Sequence, residues 1–421
     1  MSLNLAVLLT ESAVRQPGRT VLVMDRERLS YGELHAAANK VANALRSLGV
    51  RRGEKVAMIV PNVPQFAIIY YGILKLGATV VPLPAHCEAD DIHYYLRDSD
   101  AAAIFAWEGC AERACAGFRS AATCRHLIIV NAPGSDALPN GAISYSAMLA
   151  IGSSSFEMAA TMPDDTAVIA YTTDPAGREV GVELTHFNLF YNAVILVDRL
   201  LGLNAETVGL AALPLSGVFG QTCILNALVY AGGAISLLPS FDTSATLDAI
   251  ARDRVTYIAS APAILRDVLL PAGATTTLNV CIAGGAVGPG EGNGLLTQIE
   301  VPVLMAYGRV ETSPIAAINP RHAPRHGSIG LPIWGTDIRL VNPDGEAVAP
   351  GDTGEIIVRG HNVMKGYYRQ AEATAAVLRD GWLHTGDMAR QDEDGYLYLV
   401  ESGPNVADRA AQALRRNRQE R

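Results

Sequence analysis

The chain has 421 residues, 49% hydrophobic and 18% charged, with a formal net charge of −9. That length and apolar content are enough to bury a large core in two or three domains. The acidic balance excludes the clustered basic surface that a nucleic-acid footprint needs.

The first 14 residues carry no basic leader ahead of their apolar positions, which predicts a cytoplasmic protein. Ser30-Tyr-Gly-Glu33 has the form of a capping box, and Leu34, Val41, Leu45 and Leu48 continue it at helical spacing. A helix is therefore predicted from about Tyr31 to Leu48, ending at Gly49. A short strand, Val56 to Val60, precedes Pro61-Asn62, and a second helix leads to a strand at Ala78 to Pro82. The apolar run 66–83 covers these last two elements, and Lys75, Pro82 and two glycines interrupt it. It reads as a buried helix and a strand rather than a bilayer span. The same β-α rhythm recurs at Leu127–Val130, Ala167–Ala170, Ala234–Leu238 and Tyr257–Ser260, and such alternation predicts parallel, doubly wound sheets. After about residue 325 short strands are separated by turn signals such as Asn342-Pro-Asp-Gly345 and Pro350-Gly-Asp-Thr-Gly354, which predicts a small β-rich module. The six cysteines, Cys87, Cys110, Cys115, Cys124, Cys223 and Cys281, form no C-x-x-C pair and have no histidine at zinc spacing. They are expected to be reduced and mostly buried. The tail from Gly403 to Arg421 is rich in Arg and Ala, without a wide apolar stripe, and is expected to be loose.

Several motifs fall in one order along the chain. They are Leu29-Ser-Tyr-Gly-Glu-Leu34, Pro61-Asn62, Gly77-Ala78, Tyr171-Thr-Thr-Asp-Pro-Ala-Gly-Arg-Glu-Val-Gly-Val-Glu-Leu-Thr-His186, Phe241-Asp242, Arg254-Val-Thr256 and Gly284-Gly-Ala286. Further on come Tyr307-Gly-Arg-Val-Glu-Thr-Ser-Pro314, Gly327-Ser-Ile-Gly330 and Gly381-Trp-Leu-His-Thr-Gly-Asp387. From Leu29 to Val400 the chain resembles the large N-terminal portion of the adenylate-forming superfamily, in its acyl-CoA synthetase branch. Members of that family join a carboxylic acid to ATP and pass the acyl group from the adenylate to a thiol, usually coenzyme A. The resemblance implies an α/β fold of two doubly wound, mostly parallel sheets with flanking helices and a small β-rich subdomain, a distorted barrel. It divides the chain into 1–165, 166–325 with the adenylate site, 326–400, and a remnant at 401–421 where the family has a hinge and a mobile C-terminal domain.

The resemblance also implies site roles. Tyr307 is expected to stack on adenine, Gly284, Gly285, Ala286 and Gly308 to line the nucleotide, and Asp387 to accept the ribose hydroxyls. An ionised carboxylate suits that last role because it only accepts hydrogen bonds. Glu311 matches the position that holds Mg²⁺, a hard cation that prefers carboxylate oxygen. The phosphate loop, read as approximately Y-T-S-G-T-T-G-x-P-K-G-V-x-L-T-H in the family, keeps its flanks here, Thr172 and Thr173 before and Gly181 after. Gly177 is retained, but Asp174 replaces a glycine, Pro175 and Ala176 replace hydroxyls, Glu179 replaces a proline, and Val180 replaces the lysine. A phosphate loop needs glycine N–H groups, hydroxyls and a cation. Exchanging a cation for a neutral side chain and adding carboxylates opposes a polyanion. One unit charge pair at ~4 Å is worth about 4 kcal/mol at an effective dielectric of ~20. Affinity for the β and γ phosphates is therefore expected to fall roughly a thousandfold or more. Val310 replaces a threonine that in the family usually touches the α-phosphate, and it is expected to border the acyl pocket with Gly217, Phe219 and Gln221.

In the acyl segment, Leu213-Pro-Leu-Ser-Gly-Val-Phe-Gly220, Gly217 stands where the family has a histidine or aromatic ring. Either the acyl pocket widens toward a bulky acid, or Phe219 or Gln221 fills the space. Three functions stay open at this point. One is an enzyme that binds a ready-made acyl-adenylate, supplied by a separate adenylating enzyme, and supports its transfer to CoA. The others are an ATP-dependent synthetase with weak adenylation, and a non-catalytic acyl- or nucleotide-binding protein.

Overall fold

The computed structural model describes residues 2–135, 137–173, 179–272, 277–284 and 301–401. The capping box closes as its sequence predicts. Ser30 Oγ accepts the Glu33 N–H at 3.3 Å and the Glu33 carboxylate accepts the Ser30 N–H at 2.8 Å, opening the helix Tyr31–Ser47. The next helix, Pro64–Leu76, starts on a proline that has no N–H to lose and stops at Gly77, whose φ of 78° an L side chain would resist. That helix is apolar all round, and Phe66 to Leu76 are all buried, which requires packing on every side.

An eight-stranded sheet supplies one of those sides. Its order is Gly366–Tyr367, Glu179–Thr185, Thr166–Thr173, Thr79–Pro82, Lys55–Ile59, Ala101–Trp107, His126–Val130 and Ile143–Ser144. The strands from Thr166–Thr173 onward run parallel, and the first two are antiparallel additions. Alternation along Lys55–Ile59 shows how both faces are covered. Val56 and Met58 join the core that holds the helices Tyr31–Ser47 and Pro64–Leu76, while Ala57 and Ile59 pack with Ile92, Leu96 and Ala114 on the other side.

A nine-stranded sheet lies beyond the middle helices. Its order is Leu331–Pro332, Ile315–Ile318, Val303–Gly308, Val280–Ala283, Tyr257–Ser260, Val208–Ala211, Ala234–Leu237, Thr20–Met24 and Glu27–Ser30. Its central strands are parallel. Val280 and Ile282 face the shared core, and Cys281 and Ala283 face the helices Thr243–Asp253 and Pro262–Ala272. The β-rich end is a curled antiparallel sheet of five strands: Thr336–Val341, Thr353–Gly360, Trp382–Gln391, Leu378–Arg379 and Leu397–Glu401.

Sheet membership does not change at the boundary between 165 and 166. The hairpin of Thr20–Met24 and Glu27–Ser30 completes the nine-stranded sheet, whereas Thr166–Thr173 and Glu179–Thr185 belong to the eight-stranded one. All six cysteines are buried and unbridged. Burial pushes the thiols up, those of Cys87 and Cys124 to about 12. Among the described residues no helix is long and apolar enough to cross a membrane.

Candidate adenylate site

The strand Val303–Gly308 delivers Tyr307 and Gly308 to the C-terminal edge of the nine-stranded sheet, where ligands of open α/β folds bind. Tyr307 is buried, and its hydroxyl donates to Asp387 Oδ2 at 2.6 Å. Gly308 is obligatory, since a Cβ there would lie 1.7 Å from the Pro314 carbonyl oxygen. Asp387 comes from the strand Trp382–Gln391 of the β-rich module and is also buried. Its N–H donates to Thr385 Oγ1 at 3.1 Å, and Thr385 in turn donates to the Ile356 carbonyl at 2.7 Å. The tyrosine and aspartate singled out by motif thus meet across two sheets, joined through the phenol hydroxyl.

The sequence did not single out Arg309. Its backbone is extended, with φ −138° and ψ 170°, and its side chain reaches the same carboxylate as Tyr307. Arg309 Nε donates to Asp387 Oδ2 at 2.9 Å and its Nη2 donates to Oδ1, a two-pronged ion pair. The side chains are 17% and 4% exposed. Burial and the Asp387 charge push the Tyr307 hydroxyl well above its ordinary range, so it stays a donor.

Val310–Thr312 form a single 3₁₀ turn, pinned where Thr312 Oγ1 accepts the Arg309 N–H at 2.8 Å. Glu311 is buried inside it. Its Oε1 accepts the Tyr367 hydroxyl at 3.0 Å and its backbone oxygen accepts the Met364 N–H at 2.9 Å. Burial raises its carboxyl above the usual range, against the nearby Arg309. Among the described residues no cluster of three or more His, Cys, Asp or Glu forms a metal site. A Mg²⁺ ion that keeps its waters and is held mainly by phosphate needs only one protein carboxylate. Glu311 fits that limited role once ionised.

The two flanks of the expected phosphate loop form an antiparallel hairpin, with Thr172 opposite Val180, Tyr171 opposite Gly181 and Thr173 opposite Glu179. Asp174, Pro175, Ala176 and Gly177 lie outside the described residues, as do Gly285 and Ala286. Val180, where the family resemblance expects a lysine, is buried. Glu179 lies beside Tyr95, whose hydroxyl donates to it, so its charge is engaged on the helix Ala89–Asp98. Gly181 is close-packed, because a Cβ would come 2.7 Å from Ile169 Cγ2.

Around the acyl segment, Asn62 ties Pro61-Asn62 to Leu213-Pro. Its amide donates to the carbonyls of Ala211 and Leu213 at 3.0 and 2.9 Å, and its Oδ1 accepts the Leu215 N–H at 2.8 Å. A wide π turn, Gly220–Asn226, follows. Among the described residues, a Cβ on Gly217 would meet only the Pro214 carbonyl oxygen, at 3.5 Å. Neither Phe219 nor Gln221 turns into that space. The Phe219 ring lies against Gly284, where a Cβ would come 2.6 Å from Cε2. Gln221 is fully buried and donates to the Ser216 carbonyl at 3.0 Å, leaving its Oε1 without a partner among the described residues. Val310 is half-buried.

A cavity of about 380 Å³ opens at the opposite, N-terminal ends of the strands beginning at Lys55, Thr79 and Thr166. Its cations are engaged: Arg52 with Asp165 at 2.9 Å, Lys365 with the Asp164 carbonyl at 3.3 Å, and Lys55 over the Tyr368 ring at 5.1 Å.

A family model described as AMP-binding enzyme matches residues 9–368. A feruloyl-CoA synthase from Amycolatopsis is 33% identical over 380 residues, 89% of this chain and 73% of that protein. An indoleacetate–CoA ligase from Aromatoleum aromaticum is 32% identical over 409 residues, covering 93% of this chain and 78% of its own length. Among solved structures, an anthranilate–CoA ligase in complex with anthranoyl-AMP superposes with a TM-score of 0.90 at 22% identity, over 96% of this chain and 78% of that one. ATP-bound MatB from Rhodopseudomonas palustris superposes with a TM-score of 0.85 at 27% identity, over 96% of this chain and 79% of that one. The family match, the aligned relatives and the shared fold agree, and the chain belongs to the AMP-binding enzyme family as an adenylate-forming protein of the acyl-CoA ligase type.

Proposed function

We propose that this protein binds a carboxylic acyl-adenylate and supports transfer of its acyl group to the thiol of coenzyme A, while making little adenylate of its own from ATP. The observation that carries this reading is the contrast within one site. Tyr307 and Asp387, the residues expected to hold the nucleotide, are joined by a hydrogen bond, whereas a buried valine, Val180, stands where the family resemblance expects the phosphate-binding lysine. In the supported step the thiol sulfur forms a bond to the acyl carbonyl carbon. The bond from that carbon to the phosphate oxygen breaks, AMP departs with the electron pair, and the thiol proton passes to solvent.

The adenylate would come from a separate adenylating enzyme. Glu311 would hold Mg²⁺ against the nucleotide phosphate if the ion takes part, supplying charge neutralisation there. The relatives named for ferulate and indoleacetate are aromatic-acid ligases by name, and among the described residues only the Pro214 carbonyl oxygen, at 3.5 Å, would meet a side chain at Gly217, which supports a bulky acid of that kind.

Calorimetric titration tests the reading. A non-hydrolysable acyl-sulfamoyl-adenosine is expected to bind at least about a hundredfold more tightly than ATP, a gap of some 2.7 kcal/mol. Asp387→Ala should abolish mimic binding. Equal affinity for ATP and mimic would overturn the proposal in favour of an ordinary ATP-dependent synthetase. Binding of neither would leave a protein without a nucleotide function.

A further inference from the structure

Asp387 is already occupied. Oδ2 accepts from Tyr307 and from Arg309 Nε, and Oδ1 accepts from Arg309 Nη2, so at least three donors crowd a carboxylate with about four acceptor positions. Any ribose that uses this carboxylate must find its hydroxyls a place among these donors. The pair cannot be treated as a loose surface contact, since Arg309 is 17% and Asp387 4% exposed. Nor can the arginine drift easily, because the residue that carries it is fixed at its N–H by Thr312 Oγ1 and lies next to the tight Gly308.

We propose that Arg309 is a resident competitor for the ribose-binding carboxylate: its guanidinium masks Asp387 in the free protein, and a nucleoside gains that contact only by displacing it. The proposal rests on the reading of Asp387 as the ribose acceptor, and it adds a selectivity device to that reading. A ligand whose only strong contact is its ribose gains little net energy, because each new hydrogen bond to Asp387 replaces an existing one. A ligand that also brings an acyl group into the space beside Gly217 has further contacts with which to displace the arginine. The free protein is thereby set against bare nucleosides and nucleotides and in favour of the complete acyl-adenylate.

The test uses neutral probes, so that phosphate contacts play no part, and includes EDTA so that no metal fills a vacated carboxylate. Adenosine and 2′,3′-dideoxyadenosine are titrated into wild type, Arg309→Met and Arg309→Gln. In wild type, removing both hydroxyls is expected to weaken binding less than about threefold. In either variant the same removal should cost about tenfold or more, the worth of a hydrogen bond to a charged group, and adenosine itself should bind about tenfold more tightly than to wild type. A wild-type ratio above about thirtyfold, or variants that fold with a normal melting transition and show no gain for adenosine, would overturn the proposal. The wild-type arm decides even if a variant fails to fold. Failure of the parent reading shows elsewhere, in the comparison of ATP with the acyl-sulfamoyl-adenosine, and leaves this ratio interpretable.

Discussion

His186 sits at the first position of the helix His186–Ile195, just after its capping residue Thr185, and is almost fully buried. Its Nδ1 accepts the Leu5 N–H at 3.0 Å, which requires that nitrogen to be unprotonated. Burial lowers its pKa to about 4, with Asp165 opposing and Arg52 assisting. The sign follows from linkage. The unfolded chain takes up the proton near pH 6.5, before the folded one does, so the stability from a neutral His186 is complete above about pH 6.5 and is lost as pH falls from there through about 4. Denaturant titrations at pH 7 and pH 5 should differ by about 2 kcal/mol from this residue alone, and His186→Gln should reduce the slope by that amount. An unchanged slope would assign the pH dependence to His35 and His361, whose pKa values burial also lowers to about 4. At this scale the meeting of Tyr307 with Asp387 was legible only as two separate short motifs, with no signal that one would hydrogen-bond the other. Arg309 was not legible, because it occupies the variable position of Tyr-Gly-x-x-Glu, and its partner lies 78 residues later on another sheet.

Gly327-Ser-Ile-Gly330 shows what a motif does as an element. Ser328 Oγ donates to the Leu397 carbonyl at 2.9 Å and accepts the Gly330 N–H at 2.8 Å, joining the nine-stranded sheet to the curled one. Gly330 has φ 93°, and a Cβ there would lie 1.9 Å from the Ile318 carbonyl carbon. Gly330→Ala should cost about 3 kcal/mol or more, from backbone strain and an unavoidable clash. A thermal melt within a degree or two of wild type would contradict that assignment. Element types and most boundaries were legible, because caps, glycine stops and period-two alternation are local signals. The helix predicted to Leu48 ends at Ser47, and the strand predicted at Ala167–Ala170 runs from Thr166 to Thr173. Strand partners were not legible: nothing in Val21, Leu22 and Val23 states that their neighbour is Ala234–Leu237 rather than Lys55–Ile59.

Across the whole molecule the same crossing has an energetic result. The helix Tyr31–Ser47 is tied to the middle of the chain through Tyr31, whose buried hydroxyl reaches the carbonyl of Leu228 in the helix Ala227–Ala231 at 3.1 Å and that of Gly233, just before the strand Ala234–Leu237, at 2.8 Å. Ser12 likewise donates to the Val229 carbonyl at 2.7 Å, and Asn226 accepts the Tyr71 hydroxyl at 3.0 Å. With so many buried polar contacts and a common core between the sheets, residues 1–165 and 166–325 should melt together as one transition. A fragment ending at 165 is expected to be insoluble or unfolded by circular dichroism, and a soluble fragment with native helicity would refute this. The hairpin of Thr20–Met24 and Glu27–Ser30 carries a consequence for the chain as it leaves the ribosome. Its apolar edge is synthesised early, yet the parallel partner that covers it, Ala234–Leu237, emerges some two hundred residues later, a wait of roughly 10 to 40 s at bacterial and eukaryotic elongation rates. Throughout that interval Val21, Leu22 and Val23 lack the parallel strand that covers them in the finished fold, and are open to pairing with a neighbouring nascent chain.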